Sequence, residues 1–459
     1  MSSCNHCSGF TRSQMLRHSV AQAGQGIRAI EPGMPLPAGT GLTRRTLIAR
    51  GGAGALAVYG ASRLGLDQLR EGIAAAATGP PSQRALVSVF LPGGLDSLSL
   101  LAPVGDPRYA QLRPSLALAA GSGPTFTEDN RLMWAPQAAG LHTLHGEGKV
   151  TVIPAVGYDH PDQSHFTSRH FWEVGATDVQ GRFGWMGRFL DLHGVADNPL
   201  QGLSLDWALS PALAASNVPV AAVARPDDFS LWGPGVGDPI LDPMYEAIGN
   251  LGRLPTEDPQ RRVARLVATE VDDIRRTLGP FQAHDGLPGF TSPVVYPDND
   301  FANRLAALAA MLAAGVPIRC VAIDAPGGYD THSNQASSLG DDIQTVSDAL
   351  LAFQRDLEAR GIAGRVLTQV WSEFGRRPEQ NDTGTDHGAG GLALVIGSQA
   401  KGQQVGEFPG LATLDDGDNL VATADFRGVY CSLLEQWFGV DAAPIIPGAA
   451  SFTRPALVA

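Results

Sequence analysis

The chain has 459 residues, is 44% hydrophobic and carries a formal net charge of −13. That composition suits a globular protein with a large core and excludes a collagen, a coiled coil and a disordered chain. So acidic a chain does not bind nucleic acid or anionic lipid through its overall charge, and it is compatible with a site that holds cations.

At the front, Thr43-Arg44-Arg45-Thr46-Leu47 precedes a weakly apolar, glycine-rich run over 51–60, and the alanines from Ala74 to Ala77 offer small-residue cleavage sites. This order predicts an N-terminal extension and twin-arginine export signal over 1–77, and hence a periplasmic or cell-surface protein. The alternative is an uncleaved N-terminal helix. Cleavage would remove eight Arg and three acids, making the mature chain more acidic still. It would also remove Cys4 and Cys7, a Cys-x-x-Cys pair that lacks the second half of a zinc site. Cys320 and Cys431 sit in apolar runs and are expected as core thiols. Beyond the signal no apolar run reaches the ~20 residues that span a bilayer.

Ala85 to Leu91 reads as a strand that ends on Pro92-Gly93-Gly94, with Asp96 just past its tip. Glycines there let backbone N–H groups approach an anion, although an ordinary βα turn has the same appearance. A helix is expected from Gln137 to Glu147 and a strand from Val150 to Val156. Then comes Asp159-His160-Pro161-Asp162-Gln163-Ser164-His165-Phe166, in which Ser164 is either the N-cap of a helix through Trp172 or a nucleophile. Three histidines, His160, His165 and His170, crowd this stretch in a chain with only 11. Gly184-Trp185-Met186-Gly187-Arg188 opens another short helix. About 200–297 is rich in Pro, Asp and Gly around one strong helix, Arg261 to Leu278, and is expected to be an insertion or cap over the sheet.

A helix from Asp300 to Ala314 and a strand from Ile318 to Ile323 lead into Tyr329-Asp330-Thr331-His332-Ser333-Asn334-Gln335. Residues i and i+2 of an extended chain point the same way, so Asp330 and His332 can meet one cation, or stand as a surface pair without one. The helix Gly340 to Arg360 returns to a strand, Val366 to Trp371, which ends on Ser372-Glu373. Here Glu373 either joins a site at the strand tip or pairs with Arg376 or Arg377. Asp386-His387 precede a last strand-like run, Leu392 to Ile396, and Asp425 caps a final helix. The five apolar runs predict a three-layer α/β sandwich with a mostly parallel sheet and helices on both faces, the motifs converging at one sheet edge.

Taken in order, Gly93-Gly94 with Asp96, Ser164-His165-Phe166, Asp330-Thr331-His332 with Asn334-Gln335, Ser372-Glu373-Phe374-Gly375-Arg376 and Thr385-Asp386-His387-Gly388 resemble a bacterial family. It is domain of unknown function 1501, whose members are mostly exported by the twin-arginine route. The resemblance runs from about Ala85 to Pro447. That family looks like a remote branch of the alkaline phosphatase superfamily, which also holds sulfatases. The resemblance therefore implies an alkaline phosphatase-like domain over 78–459.

The superfamily pattern is a two-metal site with a Ser or Thr nucleophile at the start of a helix. Carried over residue by residue, it implies Asp330, His332 and His387 as ligands of one divalent ion, zinc or manganese, with Glu373 as a fourth. It implies Ser164 as nucleophile, and Gly93, Gly94, His165, Arg376 and Asn334 as substrate contacts. Two positions depart from the pattern. The acid that bridges the metals would fall at Gly93, with Asp96 as its stand-in, and the strand-end Asp-His reads Glu373-Phe374. Phe cannot bind a metal, so one ion is expected instead of two. Two readings follow: a metal-dependent hydrolase or transferase acting on a small anionic phosphate or sulfate ester, or a catalytically degenerate protein that binds an envelope ligand or protein partner in the same cleft.

Overall fold

Mostly apolar runs of six to eight residues form the four longest strands, because a strand buried on both faces has little polar side to show. The structure, a computed structural model, describes residues 84–195, 198–226, 229, 238–256, 259–282 and 287–459. The expected export segment, with Arg44, Arg45, Cys4 and Cys7, lies outside them. In chain order the strands are β1 (Ala85–Phe90), β2 (Leu101–Ala102), β3 (Met133–Trp134), β4 (Val150–Gly157), β5 (Gly202–Ser204), β6 (Ala221–Ala222), β7 (Cys320–Asp324), β8 (Val366–Trp371), β9 (Arg376–Gln380), β10 (Thr385–His387), β11 (Gly391–Ile396) and β12 (Ala424–Asp425). The longer helices are α1 (Ala139–Gly146), α2 (His165–Val174), α3 (Trp185–His193), α4 (Asp238–Gly252), α5 (Pro259–Leu278), α6 (Asp300–Ala313), α7 (Gln335–Ala359) and α8 (Phe426–Ser432).

Outside two short ribbons, the strands pair mostly in parallel. The chain divides into two compact units. In the larger one the strand order is β12-β4-β11-β8-β1. The exception to the parallel run is β11, antiparallel to both β4 and β8. Only the short β9–β10 ribbon separates β8 from β11, and a parallel return would need a longer crossover.

Consecutive residues of β8 face opposite sides, and each side has its own layer of helices. Trp371 stacks on Trp172 of α2 at 5.2 Å between ring centroids, and Trp172 in turn stacks on Phe426 of α8 at 4.7 Å. On the other face Val370, Leu392 and Leu394 meet Ile343, Val346 and Leu350 of α7 around a small apolar cavity that Leu141 of α1 also lines. This is the expected three-layer arrangement.

The smaller unit includes residues 178–292 and 306–323. Its strands run in the order β7-β5-β6, parallel throughout. Within the stretch of about 200–297, expected as an insertion or cap, β5 and β6 are two or three residues long, too short to leave a periodic signal. In this unit α3 lies directly on the backbone of residues 211–215. A Cβ at Gly187 would meet the Ala214 carbonyl oxygen at 2.0 Å, and one at Gly184 would meet that of Ala212 at the same distance. Alanine favours a helix over glycine, yet the contact is with backbone, which cannot give way cheaply. Gly187→Ala should therefore cost ~2 kcal/mol, seen as a lower urea midpoint; an unchanged or raised midpoint would mean that α3 stands off from this segment.

Candidate metal centre

Three histidine rings are each anchored through Nδ1 and turned so that Nε2 faces the carboxylate of Asp330. His165, the first residue of α2, has Nδ1 2.8 Å from Glu373 Oε1 and Nε2 3.4 Å from Asp330 Oδ2. His332 has Nδ1 3.0 Å from Asp386 Oδ1 and Nε2 3.1 Å from Asp330 Oδ1. His387, the last residue of β10, has Nδ1 2.7 Å from the Gln163 carbonyl oxygen and Nε2 3.2 Å from Asp330 Oδ1. One atom each from His165, Asp330 and His387 lies within 4.8 Å of the others, the spacing of a shared cation.

The partners fix the tautomers. A carbonyl or carboxylate oxygen can only accept, so Nδ1 of His332 and of His387 carries a proton. Their two Nε2 atoms are 2.9 Å apart, so one of them accepts from the other. Two imidazole nitrogens thus meet beside a carboxylate oxygen, a set of donor atoms that a cation can share. Anchoring of the far nitrogen by a carboxylate or carbonyl is also how metal-binding imidazoles are held in orientation. The residues present therefore fit a divalent ion with three nitrogen donors and one oxygen donor.

Arg376, fully buried at the start of β9, holds Asp330 in place. Its Nη2 donates to Asp330 Oδ1 at 2.5 Å, and its other N–H groups reach the carbonyl oxygens of Gly93, Gly94, Tyr329 and Thr385. Behind His165, the Glu373 carboxylate accepts from the Gly93 N–H at 3.0 Å and from the Ser372 hydroxyl at 3.1 Å. Phe374 walls the cluster, its ring 4.9 Å from that of His165 and 4.8 Å from that of His387. It lies flat on Gly94, where a Cβ would meet the ring at 2.3 Å.

The family model described as "Protein of unknown function (DUF1501)" matches residues 279–434. The chain is similar to that family over this stretch. Two similar solved structures are "Ps i-CgsB in complex with k-i-k-neocarrahexaose", at 10% identity over 80% of this chain and 75% of that one with a TM-score of 0.33, and "a Protein in the Alkaline Phosphatase Superfamily from Vibrio parahaemolyticus", at 12% identity over 84% and 78% with a TM-score of 0.30. No curated protein matches the chain.

The DUF1501 stretch supplies Asp330, His332, Glu373, Arg376 and His387, while His165 comes from outside it. The expected site residues have these surroundings. His165, expected at a substrate, lies in the triad whose spacing suits a cation. Glu373, expected as a ligand, touches the Nδ1 side of His165 and orients that ring. Arg376, expected at a substrate, donates to carbonyls and to Asp330, and the Gly93 N–H donates to Glu373. Gly93 and Gly94 have φ of 120° and 75°, and a Cβ at Gly93 would meet the Asp330 nitrogen at 2.5 Å; these glycines let three chain segments touch. Asp96 is no stand-in for a bridging acid. Its buried carboxylate takes a two-pronged contact from Arg113, at 2.5 and 2.9 Å, and accepts from Ser99 and Gln335, below the cluster. Asn334 is exposed, with φ of 55°, and its backbone N–H donates to Thr383. Ser164 is the N-cap of α2, accepting from the Thr167 N–H at 3.5 Å.

Burial opposes ionisation of Asp330, but hydrogen bonds from the three histidines and the charge of Arg376 hold its carboxyl far below the usual range. Burial likewise works against a charged His165, yet Asp330 and Glu373 on its two nitrogens together push its pKa up to about 9. His387 is lowered, by burial first and then by the charges of Arg376 and His165.

In protein stripped of metal, the charge on His165 stabilises the fold fully below the unfolded ring's pKa of 6.5, and that contribution is lost as pH rises through about 9. Glu373→Gln removes one of the two carboxylates. By NMR of the metal-free protein, its His165 titration should fall by about 1 unit or more, with a shallower loss of stability over the same window. An unmoved titration would show that Asp330 alone carries the effect.

Proposed function

We propose that the chain is a hydrolase or transferase acting on a phosphate or sulfate ester, with one divalent metal ion held by His165, Asp330, His332 and His387. The observation that carries this reading is the meeting of the His332 and His387 Nε2 atoms, 2.9 Å apart, beside Asp330 Oδ1. Three imidazoles and a carboxylate suit zinc or manganese better than magnesium, which prefers oxygen and water. When bound, such an ion supplies a Lewis acid that polarises the ester and eases the negative charge that develops on its oxygens. The Phe374 ring, filling the space beside His165 and His387, supports a count of one ion.

Ser164 is the nucleophile in this reading. It adjoins His165 in the chain, and its contact with the Thr167 N–H, at 3.5 Å, is at the outer limit of a hydrogen bond, so the cap makes little demand on its oxygen. Its Oγ would lose its proton and form a bond to phosphorus or sulfur as the bond to the ester oxygen breaks, that proton leaving with the alcohol; water or an acceptor alcohol would then take the phosphoryl or sulfuryl group and return a proton to Oγ. The N–H groups of the first turn of α2 would steady the anion. A second reading, binding of an anionic envelope ligand without turnover, is favoured by Phe374 and by the commitment of Arg376 to backbone, since both leave fewer groups for a transition state.

Elemental analysis of purified protein with a panel of aryl phosphates and sulfates separates these readings. One zinc or manganese per chain is expected, falling to below roughly a tenth of that in His387→Ala, as loss of a direct ligand weakens a site more than the 10- to 100-fold seen for outer partners. Ser164→Gly, a tolerable cap, should keep the ion and lose turnover, whereas a plain cap would leave turnover intact. A metal-loaded parent that cleaves no ester supports the binding reading; two tightly held ions would show that Phe374 does not limit the site.

We also propose that the protein is exported through the twin-arginine route to the periplasm or cell surface, on the strength of Arg44-Arg45 and the weakly apolar run behind them. Changing both to Lys should hold the protein in the cytoplasm on cell fractionation. Undiminished export of that double variant would remove the proposal.

A further inference from the structure

Arg376 and Arg377 are neighbours in β9 with different surroundings. Directly paired residues of an antiparallel ribbon share a face, and Arg376 pairs with His387 on the inner, metal side. The register of the ribbon shifts between this pair and the next, Gln380 with Thr385, so the surroundings of the following residues are read from burial: Pro378 is buried like Arg376, and Arg377 is half-buried. Its main chain is fixed: its carbonyl accepts from Arg113 Nη2 at 3.0 Å, and that of Pro378 accepts from Arg113 Nε at 2.8 Å. The Arg377 guanidinium, by contrast, makes no hydrogen bond or ion pair among the described residues, and its Nε is buried without a partner.

Its neighbours are already committed. Asp386 accepts from His332 Nδ1 and from Asn381. Asp415 accepts from Asn419, whose Oδ1 takes the Gln163 side chain, and the Gln163 carbonyl holds His387. Arg377 is close enough to Asp415 for its charge to be felt there: burial opposes ionisation of Asp415, and hydrogen bonds from Asn419 and Gly417 hold it low together with the charge of Arg377. Neither acid is within ion-pair contact. Arg377 thus stands beside the line of contacts that runs from Asp415 through Asn419 and Gln163 to the His387 imidazole, with its donors unspent, in a chain of net charge −13. Its planar fork matches a carboxylate, phosphate or sulfate, and a buried N–H left unpaired is a cost that such a group removes.

We infer that Arg377 binds a second anionic group of the substrate, outside the bond that is cleaved, so that the site prefers esters carrying an additional phosphate, sulfate or carboxylate over singly substituted ones. This rests on the ester reading above. Calorimetric titration of the zinc-loaded protein tests it with a sugar bisphosphate against the matching monophosphate, and a disulfated against a monosulfated disaccharide, the two pairs telling a phosphate from a sulfate ligand. The parent should prefer the doubly substituted member of at least one pair by about tenfold, the worth of one good charge-assisted contact. Arg377→Gln should bring that preference to about one, and Arg377→Lys, which keeps the charge but loses the fork, to a value between. A preference that survives in Arg377→Gln, or a parent that binds both members of each pair alike, overturns the inference and leaves the ester reading standing. A correctly loaded parent that binds none of the four ligands overturns the ester reading and this inference with it.

Discussion

The contact between Arg376 and Asp330 is the one on which the rest of the site depends. Asp330 has three imidazoles facing it, and a carboxylate so placed needs a fixed orientation or the rings have nothing to converge on. Arg376 gives it one. The guanidinium is planar and rigid, and it binds carbonyl oxygens from the turn after β1, from the residue before Asp330 and from β10 in the same plane of contacts. Segments near residues 93, 330 and 385 are thereby held at one point. A lysine has neither the reach nor the number of directed donors to do this. Beneath that point Asp96, Arg113 and Gln335 form a second buried polar layer, where the Gln335 amide oxygen accepts from the hydroxyls of Thr331 and Thr385.

The three-layer order of the larger unit was legible because its strands are long, apolar and closed by glycine turns. β5 and β6 were not, since two or three residues carry no period. Around the site, the sequence pointed to the loops that meet at Asp330, His332 and His387, because acids and imidazoles just past strand tips are few. What the other residues touch was less legible. Glycines beside a strand tip suggest an anion cradle, yet Gly93 and Gly94 are there because Asp330 and Phe374 pass too close for a side chain. Arg376 and Arg377 are indistinguishable as letters; only the pairing of β9 with β10 shows which faces inward. Asp96 is an acid in the right place along the chain, but Arg113, which claims it, lies 17 residues away with no signal that the two would meet. For His165 a cue did exist: an imidazole directly after a helix-capping serine sits at the strand-tip edge of the fold, where the other histidines were already expected.

Phe374 gives the cluster its particular character. An aromatic ring against two imidazoles excludes water from that side and leaves the approach beside His332 and Asp386 as the wetter one.

The alternation of β9 has a consequence for how this protein can change over generations. Positions 376 and 378 point into buried surroundings, where a new side chain would disturb the packing beneath the histidines, while 377 and 379 look outward. Adjacent codons therefore answer to different pressures. Selection for a new environment's chemistry can rewrite the outward positions one at a time without the lineage passing through a form that has lost its inner architecture.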